Sequence, residues 1–177
     1  MSLTSQQQKI VDLALTLVNK ALIEAGGTGQ ETGSCWYCAR AVVEAAKKYD
    51  KRLILRAGSA YWERLTPAQD DGVASTHFGY VWEPNSYQTR LTVSRMKAGD
   101  LSTLPEMHVW AADPSMGDVV DLTSGLFPAQ AMKISGMDWP GKLPPKHFWG
   151  SHGKLDKLNA VYESHPDAIQ VAKLWTV

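Results

Sequence analysis

The spacing of apolar residues changes once along this 177-residue chain, near Lys51-Arg52, and that change limits the fold more than any other feature. Before it, Ile10, Leu13, Ala14, Leu17, Ala21 and Leu22 recur at helical spacing. Ser5-Gln6-Gln7-Gln8 fits a capping box and Gly26-Gly27 stops the run, which predicts an amphipathic helix over about 6–25. A small, polar stretch from Gly26 to Ser34 reads as a loop. A second, mostly buried helix is expected from Trp36 to Tyr49, with Ala39, Val42, Val43 and Ala46 as its apolar stripe. Beyond Arg52 the pattern becomes extended. Leu53 to Trp62 reads as a strand whose central Gly58 marks a bend or bulge, and Phe78–Trp82, His108–Ala112 and Val119–Leu122 are three further strands. Helices followed by clustered strands predict an α+β domain.

The length suits one domain spanning 1–177. Its core is expected over about 28–125, with a C-terminal part over 126–177. From Phe127 to Gly153, four prolines and several glycines leave no clear period, so a long ordered loop or flap is expected. Ser164-His165-Pro166 then opens a C-terminal helix.

Charge and composition exclude several partners. Eighteen Lys+Arg balance eighteen Asp+Glu, so nothing favours nucleic acid or an anionic membrane. No apolar run approaches the roughly 18–20 residues that span a bilayer. Met1 to Gln8 lacks the basic and apolar blocks of a secretory signal, so a cytoplasmic location is expected, with export by a signal-independent route left open.

The two cysteines, Cys35 and Cys38, are too few for a disulfide framework and act either as core or as chemistry. Cys35 falls at the start of the second helix. There a thiol faces unpaired backbone N–H groups and the positive end of the helix dipole, both of which favour thiolate. The same N–H groups suit the oxyanion that forms when a carbonyl carbon is attacked. A buried structural cysteine is the plain alternative.

Partners for such a nucleophile come from the hairpin His108 to Asp121, with Pro114-Ser115-Met116-Gly117 as its tight connection. Pairing Asp113 with Asp118 sets Trp110 opposite Asp121. Side chains alternate with period two, so His108 then lies diagonal to Asp121, within reach of a hydrogen bond that would fix the imidazole's tautomer. A one-residue slip breaks this arrangement. An ordinary hairpin with a half-exposed His and a solvated Asp is the competing reading.

Gly33-Ser34-Cys35-Trp36 resembles the nucleophile motif of papain-like proteases and the Gly-Gln-Cys-Trp motif of transglutaminases. His108-Val109-Trp110 resembles the transglutaminase His-Val-Trp, and Val120-Asp121-Leu122-Thr123 resembles the stretch carrying that family's acidic residue. The resemblance covers residues 33–123 and implies a papain-like or transglutaminase-like core, the nucleophile helix packed on an antiparallel sheet, with Cys35, His108 and Asp121 as catalytic residues acting through a thioester. It implies no metal and no organic cofactor. It leaves the substrate open; for a small cysteine hydrolase the expectation is a peptide or amide, such as cell-wall peptide or a protein side chain, with the thioester resolved by water (peptidase or amidase) or by an amine (transferase). Gln30 lies one position short of the place where papain-like enzymes carry an oxyanion-binding Gln, and is the candidate second donor.

Other readings stay open. Cys35-Trp36-Tyr37-Cys38 has the spacing of a thiol–disulfide redox pair, though no strand-like run precedes it. Zinc binding lacks a second ligand pair. An inactive binding module of the same fold is a further possibility. His77 is an alternative base, but no acidic residue follows it in a comparable hairpin; His147, His152 and His165 suit exposed or helix-capping roles.

Overall fold

Two helices precede the first strand, as the apolar spacing predicts. The computed structural model describes residues 3–24, 34–62, 78–115, 117–136, 138–139 and 142–175. Helix α1 (Ser5–Glu24) buries Ile10, Val11, Ala14, Val18 and Leu22, one stripe at helical spacing. That stripe packs on Cys38, Ala41, Val42, Ala45 and Ala46 of α2 (Ser34–Lys47). The pair then covers one face of the sheet through Leu53, Ala111 and Val120.

The remaining elements are β1 (Ile54–Trp62), β2 (Phe78–Tyr80), α3 (Tyr87–Lys97), β3 (His108–Ala112), β4 (Asp118–Asp121), α4 (Phe127–Ser135), β5 (Phe148–Ser151), α5 (His152–Asp156), β6 (Val161–Ser164) and α6 (Pro166–Ala172). The six strands form one antiparallel sheet along the hydrogen-bonded path β2-β1-β3-β4-β5, with β6 also paired to β1. The fold is therefore α+β. Strand β1 organises it, its first half pairing with β3 and its second half with β2 and β6.

Alternation along β3 divides the core. Val109 and Ala111 face the helices. Trp110 and Ala112 face a separate cluster containing Trp62, Val119, Phe127, Phe148, Leu155 and Tyr162. All five residues of β3 are buried, so both faces of this central strand are covered. The predicted bend in β1 is real. Gly58 has φ of +155° and pairs with both His108 and Ser164, and a Cβ there would stand 2.1 Å from the Glu163 carbonyl oxygen.

Three expectations are corrected. The segment 127–153 is no featureless loop, since it carries α4, β5 and the start of α5. Pro128 sits in the first turn of α4, where a missing N–H costs nothing, and Gly136 ends that helix in the left-handed conformation. The core does not stop near residue 125, because β5 and β6 complete the same sheet. Helix α3 has no counterpart among the expected elements because its Thr- and Arg-rich sequence is weakly amphipathic, although Ser86 caps it by accepting from the Thr89 N–H at 3.1 Å. Among the described residues no helix is long and apolar enough to cross a membrane.

Candidate active site

The β3–β4 hairpin has the register that its sequence predicts. The Asp113 N–H donates to the Asp118 carbonyl at 2.9 Å, and Ala112 pairs with Val119 and Ala111 with Val120. In this register the His108 Nε2–H donates to Asp121 Oδ2 at 2.8 Å, with both side chains buried. The other ring nitrogen, Nδ1, is also buried and has no partner in bonding geometry among the described residues.

Cys35 lies close enough to this imidazole to act on it by hydrogen bond and charge. It is half-buried in the first turn of α2, whose start at Ser34 leaves the Cys35 N–H among the donors without an intrahelical acceptor. Burial pulls the His108 pKa down, but the charge and hydrogen bond of Asp121, and then Cys35, outweigh it and hold the imidazole above its usual 6.5. With Nε2 committed to Asp121, Nδ1 is the nitrogen left for the thiol. The structure thus brings together Cys35, His108 and Asp121 from α2, β3 and β4.

Asp121 is held more firmly than a hairpin alone would hold it. Its Oδ1 accepts from the Thr123 N–H at 2.7 Å and from Thr123 Oγ1 at 2.6 Å, and its Oδ2 accepts from Tyr162 Oη at 2.5 Å in addition to His108. Tyr162 Oη in turn accepts from Trp62 Nε1 at 3.1 Å. Burial alone would raise the carboxyl's pKa, yet His108, Thr123 and Tyr162 together hold it below 3.8. A buried carboxylate with four donors stays an anion without the penalty of an unpaired buried charge.

Aromatic rings wall in the imidazole. Tyr80 stacks on it at 5.4 Å and 12°, Trp110 lies on it at 6.3 Å and 18°, and the edge of Phe127 approaches to 5.1 Å. Stacked aromatic faces favour the imidazolium electrostatically. Tyr80 is also close enough to Cys35 and Asp121 that burial and their charges push its hydroxyl up to about 12.

Cys38 is more buried than Cys35. It is only 8% exposed, and burial, then Asp121 and Cys35, push its thiol up to about 12. It packs between α1 and the sheet as a small apolar side chain. Gln30 and His77 lie outside the described residues. His147 is half-buried and bonds through Nδ1 to the Leu122 carbonyl at 2.9 Å, a correction to the exposed role expected of it. His165 does stand at a helix start, as the N-cap of α6. Among the described residues no group of three or more His, Cys, Asp or Glu is arranged to hold a metal ion.

Sequence reasoning missed Thr123, Tyr80, Phe127 and Tyr162 as parts of this site. Thr123 had a local signal, since Asp followed two residues later by Thr is an Asx-turn pattern. Tyr162 had none, because it reaches Asp121 across 41 residues from a strand that the composition concealed.

No family model matches this chain, and no curated protein matches it. Among solved structures, a crystal structure titled only as a genomics target aligns over 92% of this chain and 67% of its own, at 15% identity and a TM-score of 0.49. That likeness is too slight to carry an argument about chemistry.

Proposed function

We propose that this protein is a cysteine-dependent acyl-transfer enzyme with a papain-like or transglutaminase-like core, in which Cys35 is the nucleophile, His108 the general base and acid, and Asp121 the group that orients His108. The observation that carries this reading is the free, buried Nδ1 of an imidazole whose Nε2–H is committed to a fully bonded carboxylate, beside a thiol at a helix N-terminus. His108 takes the Cys35 proton, and the sulfur attacks the carbonyl carbon of an amide. Backbone N–H groups at the start of α2 receive the developing oxyanion. The imidazolium returns its proton to the leaving amine as the C–N bond breaks, which leaves a thioester. Water then resolves the thioester in a peptidase or amidase, and an amine does so in a transferase, with His108 again taking the proton.

The resemblance of Gly33-Ser34-Cys35-Trp36, His108-Val109-Trp110 and Val120-Asp121-Leu122-Thr123 to the transglutaminase motifs supports the same chemistry. Cys38 argues against the redox reading, since a resolving thiol must be reached and deprotonated, and this one is buried and pushed up to about 12. The substrate class that follows is a peptide or amide, with cell-wall peptide and protein side chains as the forms to try first. The test is incubation of the intact protein with an electrophilic acyl probe, followed by peptide mapping. One acyl group on Cys35, lost in Cys35→Ser and retained in Cys38→Ser, is expected. Modification of Cys38 instead, or of neither cysteine, would overturn the assignment.

A further inference from the structure

We infer that Tyr162 is a positioning residue of this site, its hydroxyl fixing the Asp121 carboxylate and keeping it an anion so that His108 can hold a proton beside Cys35. The inference rests on the acyl-transfer reading for its functional meaning, but its geometry stands apart from it. Tyr162 Oη and His108 Nε2 donate to the same oxygen, Asp121 Oδ2, at 2.5 and 2.8 Å. The hairpin fixes the His108 side of that oxygen, and Thr123 fixes Oδ1 from the following turn. Among the described residues, only Tyr162 donates to the carboxylate from outside the β3–β4 hairpin and its turn, because β1 joins β3 to β6. Trp62 Nε1, on β1, donates to the Tyr162 oxygen and so directs its one proton toward Asp121. The chain Trp62 to Tyr162 to Asp121 is thus oriented in a single sense.

Two consequences follow from sharing one oxygen. A second donor spreads the charge of Oδ2, which moderates its pull on the His108 proton and leaves that proton on the ring. It also lowers the pH at which the carboxyl takes up a proton of its own. The titratable groups that act on Asp121 or are acted on by it are His108 on β3, Tyr162 on β6, Tyr80 on β2, and Cys38 on α2, with Cys35 adjoining. Of these, His108 and Tyr162 both donate to the carboxylate and touch the same oxygen.

The test compares the intact protein with Tyr162→Phe, which keeps the ring and removes the hydroxyl, in two readouts. The first is the pH dependence of Cys35 alkylation by iodoacetamide. Activity that needs ionised Asp121 is lost as pH falls through the carboxyl's pKa, and losing one charge-assisted donor raises that pKa, so the acid limb should move up by about one pH unit. The second is the low-field proton resonance of His108 Nε2–H, which should move further downfield as Oδ2 becomes a stronger acceptor. Placing 3-fluorotyrosine at position 162 makes a better donor without disturbing packing, and should shift both readouts the opposite way. This sign reversal would not arise from a merely structural role, and it keeps the test decisive if Tyr162→Phe fails to fold. If both readouts stay fixed in the folded variants while Cys35 alkylates normally, the positioning role is overturned and the acyl-transfer reading stands. If the imidazole resonance moves as expected but Cys35 shows no preferential alkylation in the unsubstituted protein, the acyl-transfer reading fails and the positioning of Asp121 stands.

Discussion

Asp121 accepts four hydrogen bonds, and that one side chain links the stability of the site to its chemistry. Its pKa is lowered, so its contribution to stability is present above 3.8 and is lost as pH falls through the folded value. The His108 pKa is raised, so its contribution is complete below 6.5 and fades as pH rises through the folded value. These describe one buried pair, most stabilising between those two pH values. Asp121→Asn should therefore lower the melting temperature most within that window, by the equivalent of about 3–5 kcal/mol, and progressively less on either side. Calorimetry across pH checks this, and a deficit independent of pH would mean that the pair is not ionised. The proposed mechanism makes the two residues one unit in turnover, so His108→Ala combined with Asp121→Asn should be scarcely slower than His108→Ala alone, whereas independent roles would multiply.

Elements explain why some of this was legible and some was not. The α1 stripe, the Cys35 helix start and the β3–β4 register are set by local rules of period and turn chemistry, so the sequence predicts His108 diagonal to Asp121 on one face of the hairpin from spacing alone. The Phe127–Gly153 segment follows the same rules, but Pro128 at a helix start and Pro144 and Pro145 in a loop stand at permitted positions and conceal α4 and β5. Tyr162 and the aromatic walls of His108 depend on strand pairing across long separations, for which one sequence holds no local signal. Gly58 connects the two cases. It is visible as a break in β1, but only the structure gives its reason, the pressing of β6 against β1 opposite His108. Gly58→Ala should cost several kcal/mol, since the obstructing atom is a backbone oxygen 2.1 Å from the new Cβ. It should also slow Cys35 alkylation by displacing His108. Unchanged urea midpoint and alkylation rate in that variant would contradict the role given to β6.

At the scale of the whole molecule, the site is assembled from both ends of the chain: Cys35 from the second helix, and Tyr162 from the last strand. A core ending near residue 125 would leave Asp121 without Tyr162 and β1 without one of its partners. Truncation after Ala160 should accordingly abolish cooperative thermal unfolding by circular dichroism, and a retained sharp transition would show that the shorter core is self-sufficient. The central claim is that Cys35 owes its reactivity to His108 and Asp121. The most direct measurement is the rate of Cys35 alkylation by iodoacetamide near neutral pH in the unsubstituted protein, His108→Ala and Asp121→Asn, with peptide mapping to assign the site. The account predicts fast alkylation confined to Cys35, slowed at least tenfold in His108→Ala and by a smaller factor in Asp121→Asn. Equal rates in all three folded proteins, or alkylation divided evenly between Cys35 and Cys38, would contradict it.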